Sequence, residues 1–176
     1  MAQLLNTTIK NNLTVSGAVT ASSSMTANGV NIKTKLDLID TLNTRITNIM
    51  NKTYTLTVSS PTMGGNWSSG SASAYLLGNA LRIYFTATRK SSLAAGNNDN
   101  EVIMTLKIDT QGRIKNAHNI SFVSGSTGPI ATGYVNNLSI ASNVLTVPIY
   151  LAANAGSLSE TNAYFTIPVE LNVTAY

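Results

Sequence analysis

The chain has 176 residues, with 11 basic groups, 7 acidic groups, one histidine, no cysteine and a formal charge of +4. Zero cysteine excludes disulfides and thiolate metal sites. The basic residues are scattered, with Lys33/Lys35 and Arg89/Lys90 the only close pairs, so the concentrated footprint that nucleic acid requires is missing.

Charged residues make up 10% of the chain, whereas Thr, Asn and Ser together number 63. Neutral hydroxyls and amides must therefore coat the surface. The length suits one domain, or a small domain with an appendage. No run approaches the roughly 18 apolar residues of a membrane span. The N-terminus MAQLLNTTIKNN lacks the basic start and apolar stretch of a secretion signal. Neither membrane insertion nor export is expected, and the absence of disulfides fits synthesis in a reducing cytosol.

Residues 1–31 carry short apolar positions separated by Asn, Thr, Ser and Gly. Within them Leu13-Thr14-Val15-Ser16-Gly17-Ala18-Val19 alternates with the period of two expected of a half-buried strand, and Asn28-Gly29 is a turn dipeptide. Such a segment cannot make its own core. It is either a flexible arm or a strand buried against other copies, and residues before about Leu13 are expected to order only on docking.

Residues 32–51 change period. Ile32, Leu36, Ile39, Leu42, Ile46 and Ile49 form a helical stripe. In heptads, Ile32, Ile39 and Ile46 take a, while Leu42 and Ile49 take d. Lys35 holds the first d position with Leu36 beside it at e, so the opening turn is irregular. Asn31 is the expected N-cap. Asp37 and Asp40 toward the start and Arg45 toward the end agree with the helix dipole. One explanation of the stripe is an amphipathic helix packed on the following domain. The narrow a/d stripe and a polar face of Thr and Asn favour self-association instead, because a helix this short is marginal alone. Ile at a and d points to three strands in preference to two, although Leu42 weakens that preference.

Residues 52–176 read as an all-β head. Strands are expected at 54–58, 74–77, 81–88, 102–108, 113–115, 120–123, 135–140, 144–151 and 163–173, separated by Gly/Asn/Ser turns. The expected fold is a mainly β chain: an N-terminal strand segment, one coiled-coil helix and a C-terminal antiparallel, jelly-roll-like β-sandwich, assembled as a homotrimer. Pro148 and Pro168 fall inside apolar runs, which places them at a sheet edge or a bulge.

Little in the chain suggests catalysis. His118 is the only histidine, and no spacing gives it a specific carboxylate partner. Seven carboxylates leave few pairs for a glycosidase, whose acids must face each other across about 5–9.5 Å. The run Gly96-Asn97-Asn98-Asp99-Asn100-Glu101 is rich in oxygen ligands but lacks the spacing of a calcium loop. No enzyme, metal or cofactor is expected. Seven Asn-x-Ser/Thr sequons occur, which the composition accounts for.

Binding is a more natural use of such a surface, since amides and hydroxyls match sugar hydroxyls and an aromatic ring can stack on a sugar face. Trp67, in the loop-like stretch Gly64-Gly65-Asn66-Trp67-Ser68-Ser69-Gly70, is either a ligand platform or a lid over the core, the lid being the stronger reading. Tyr134 is a second ligand candidate, with Asn97 and Asp99 as polar ones. Tyr54, Tyr84, Tyr150 and Tyr164 lie in strand patterns and are expected to pack in sheets or between subunits.

The stretch Asn11-Asn12-Leu13-Thr14-Val15-Ser16-Gly17-Ala18-Val19-Thr20, followed by the stripe of residues 32–49, resembles small trimeric fibre and receptor-binding proteins of bacteriophages. The resemblance covers about 50 residues directly and the β domain by architecture alone. It implies a virion-surface protein made in the host cytoplasm, docked to other virion proteins through its N-terminal segment. It further implies a trimeric head that adheres to host-surface carbohydrate, where repeated weak contacts multiply. A purely structural capsid decoration without a ligand is the alternative.

Overall fold

The computed structural model describes residues 26–27, 30–96, 100–124 and 130–176. Two compact units divide the chain, Met1–Leu42 and Asn43–Tyr176. The expected strand over 13–19 and the Asn28-Gly29 turn lie outside the described residues.

In the first unit, β1 (Thr26–Ala27) and β2 (Val30–Asn31) pair antiparallel and lead into α1 (Ile32–Asn51). The division between units falls inside this helix, whereas the sequence suggested boundaries at its two ends. Asn31 caps it as expected: its side-chain oxygen accepts the amide of Thr34 at 3.2 Å, satisfying one free donor of the first turn. The dipole expectation needs correction. The first turn has no acidic residue and the last no basic one, and the dipole's influence fades beyond those turns. Asp37 instead pairs with Lys33 at 2.8 Å across one exposed turn, an interaction worth only a few tenths of a kcal/mol, roughly 0.3–0.5.

In the second unit, alternation of apolar and polar residues builds long strands: β3 (Thr53–Val58), β4 (Thr62–Met63), β5 (Trp67–Leu77), β6 (Ala80–Leu93), β7 (Val102–Asp109), β8 (Ile114–Ala117) and β9 (Ile120–Ser124). Then follow β10 (Ala131–Val135), β11 (Ser139–Ala141), β12 (Val144–Asn154) and β13 (Leu158–Leu171), with a final 3-10 turn at Val173–Ala175. These make one antiparallel path, β8-β13-β6-β5-β3-β7-β12-β10-β9, with β11 added on β12 and β4 on β7. β3 connects the halves, because Thr53–Leu56 pairs with β5 and Thr57–Val58 with β7. The two sheets expected of a sandwich are thus facing halves of one curled sheet.

The core lies between these halves. β6 sends Leu81, Ile83, Phe85 and Ala87 inward and leaves Arg82 and Tyr84 outside. β13 buries Ala163, Phe165, Ile167 and Val169 in the same rhythm. Phe122 of β9 stacks on Phe165 with ring centroids 4.8 Å apart and meets Phe85 edge-on at 5.8 Å, joining the far ends of the path. Gly133 makes this possible, since a Cβ there would lie 2.6 Å from the Tyr150 carbonyl oxygen and collide with the Phe122 ring.

Several expected strands shift. The strand over 135–140 is broken, because Asn137 adopts φ 56° and Asn136 accepts the Asn137 amide through its own side chain, a local bond that competes with the ladder. The strand at 163–173 begins earlier and ends at Leu171. Both prolines sit within interior strands, at places where a donor is not needed. Pro148 lies between the β11 and β10 ladders on β12 and one residue before a register shift; Pro168 ends the β6 ladder just before β8 takes over.

Candidate functional site

The helix carries the first candidate. Leu36, Ile39, Leu42 and Ile46 are each about half exposed (46–55%), and no residue of α1 is buried. Ile32 and Ile49, at the ends of the stripe, are partly covered. Leu38, which the sequence reading passed over, is also exposed and falls at g, while Met50 falls at e. With Leu36 these widen the seam beyond a and d.

The ligand candidates part company. Trp67 is 1% exposed and belongs to the core, so its reading as a ligand platform is corrected. It opens β5 and pairs with Arg89 across β6, with a register shift beside it. The Arg89 guanidinium lies 5.9 Å from the indole and donates twice to Glu101 Oε1, at 3.0 and 2.8 Å. Asn66 also donates to Glu101. Lys90 Nζ donates to the Gly65 carbonyl at 2.7 Å, tying the Gly64–Trp67 turn to β6. Glu101, in the oxygen-rich run, is therefore committed to a nearly buried ion pair. Asn97 and Asp99 lie outside the described residues.

Tyr134 fits the binding expectation better. It is half-buried on the outer face of β9, β10 and β12, stacked almost parallel on Tyr150 at 4.8 Å. It borders two open hollows, one of about 460 Å³ lined by Val123, Thr132 and Ala152 among others, the second of about 360 Å³ reaching Asn119 and Asn136. The Asn119 amide donates to Asn136 Oδ1 at 2.7 Å. An aromatic wall flanked by hydroxyls and amides can stack on a sugar ring and bond its hydroxyls.

On the other half of the sheet, a feature the sequence reading underrated comes together. Cross-strand register places Tyr164 beside Tyr84, and Arg82 between Tyr75 and Thr166, all on the outer face. Tyr75, Tyr84 and Tyr164 are 39%, 44% and 57% exposed. The signal was legible: each of Tyr84 and Tyr164 is flanked on both sides by residues of the buried phase.

Charge chemistry elsewhere is structural. Arg113 lies 4.0 Å over the Tyr54 ring and 5.2 Å from Tyr176, and donates to the Ala175 carbonyl at 2.6 Å. Burial pushes the Tyr176 phenol above its ordinary value; Arg113 opposes that shift and Tyr54 adds to it. His118 is exposed, its backbone amide bonded to Pro168. Among the described residues no three His, Asp or Glu side chains gather as metal ligands, and no helix is long and apolar enough to cross a membrane. No known protein family, curated protein or solved structure matches this chain.

Proposed function

We propose that the chain is the subunit of a homotrimeric bacteriophage fibre on the virion surface. Its N-terminal segment attaches to other virion proteins, its helices form a parallel three-stranded coiled coil, and its β domain is the exposed head that adheres to host-surface carbohydrate. The observation that carries this reading is the exposed heptad stripe of α1. Full burial of each Leu or Ile contributes about 1.5–3 kcal/mol, and a second and third copy of the same stripe supply the matching surface. For adhesion, Tyr134 with its flanking hydroxyls and amides is the favoured contact. The alternative is capsid decoration without a ligand, and the burial of Trp67 favours it by removing one expected sugar platform.

Light scattering on the full chain tests the assembly. A mass near three times 18.5 kDa is expected, and 18.5 kDa itself would overturn the fibre reading. A glycan screen with the trimer then separates adhesion from decoration. Binding that disappears in Tyr134→Ala supports adhesion, and no binding to any glycan leaves decoration.

A further inference from the structure

The β5-β6-β13 face presents three tyrosines that make no ring contact among the described residues, and Arg82, which has neither a hydrogen bond nor an ion pair among them. Around them lie hydroxyl and amide side chains, Ser71, Ser73, Thr86, Asn162 and Thr166, on neighbouring rows of the same face. Tyrosine and arginine on a surface otherwise poor in charge are what the centres of protein interfaces favour. Tyr134 and Tyr150 differ, because they already cover each other.

The tether says what covers the tyrosine face. One residue, Lys52, separates the end of α1 from β3. Helices in a coiled coil lie about 8–10 Å apart, whereas a head of some 125 residues has a radius of gyration near 14 Å. Three heads held so closely must abut one another. The β5–β6 turn at Gly78 lies beside the last turn of the helix, an added Cβ there falling 3.8 Å from the Ile49 carbonyl oxygen. The half of the sheet bearing the tyrosines therefore starts where the three chains converge.

We propose that this face, centred on Tyr75, Arg82, Tyr84 and Tyr164, docks against the head of a second copy of the chain. The inference rests on the trimeric reading above and adds to it which face closes and which stays open. The Tyr134 face remains free for a ligand. A ring of three makes this contact heterologous, each tyrosine face meeting a different surface of its neighbour.

The chain has no cysteine, so an introduced thiol is unique. Thr166→Cys reports on the tyrosine face and Thr132→Cys on the Tyr134 face, both sites being exposed in the single chain. Maleimide labelling is timed in the full chain and in the Ile39→Asn/Ile46→Asn background, with the mass of each variant measured. Expected is labelling at Thr166→Cys at least tenfold slower in the trimer than in the helix variant, with Thr132→Cys equally fast in both. Equal rates at Thr166→Cys in a verified trimer overturn the docking face and leave the trimer standing. A monomeric full chain overturns both. Should Thr166→Cys itself disturb assembly, iodination of Tyr84 and Tyr164 in the unaltered chain gives the same comparison: protection in the trimer supports the proposal and equal modification overturns it.

Discussion

The helix and the β domain solve the burial problem in opposite ways. Residues 53–176 close a core within one chain, with Trp67, Leu76, Ile83, Phe85 and Ile149 all at 1% exposure or less. The helix buries no residue and leaves its apolar positions half open. Apolar side chains gain by leaving water whichever chain covers them. A chain that folds one region completely and leaves a regular stripe uncovered in the other is built to finish the second region with copies of itself. Stability of the head and assembly of the fibre should then be separable by mutation.

The largest effect is expected from Ile39→Asn with Ile46→Asn. This pair should reduce the mass in solution to that of one chain while the head still melts cooperatively. An unchanged mass would mean the stripe does not hold the copies together. Trp67→Ala inverts the experiment, removing the largest buried side chain and leaving the helix intact. It should cost the head about 3–5 kcal/mol, read as a lower denaturation midpoint. A loss below about 1 kcal/mol would contradict the burial of the indole.

Asn31→Ala sharpens the comparison at smaller scale. Loss of the cap should weaken the helix by about 1 kcal/mol, lowering the temperature at which the trimer dissociates and sparing the head. A head destabilised as much as the helix would show that the two regions do not fold separately.

Tyr176 gives the smallest effect. Its phenol is held above the ordinary 10.0 by burial, so the folded chain keeps a proton that the unfolded chain releases first. Its contribution to stability is present below pH about 10 and lost as pH rises through the raised value. Denaturation of the head should therefore become easier above that pH, and less so in Tyr176→Phe. The same slope in both proteins would exclude Tyr176 as its source.

Much of this was legible because period and composition are local. The spacing of Ile32, Ile39 and Ile46 announces a helix without reference to the rest of the chain, and Asn31 marks its start. The alternation around Ile83 and Phe85 announces a strand and its inner face. The apparent loop at Gly64–Gly70 misled, since Gly, Asn and Ser there suggest solvent. What buries Trp67 is the pairing of β5 with β6 and the Arg89–Glu101 clamp, partners distant in sequence.

By itself the sequence determined which segments are helix and strand, which residues of each strand point inward, and that the surface is neutral and polar. Each of these follows from side-chain periodicity and composition, which act over a few residues. Only the tertiary structure decided that β3 joins both halves into one curled sheet, that Tyr134 rests on Tyr150, and that Tyr75, Tyr84 and Tyr164 share an open face with Arg82. Those outcomes depend on the register between strands far apart in the chain, which is set by the closure of the whole core.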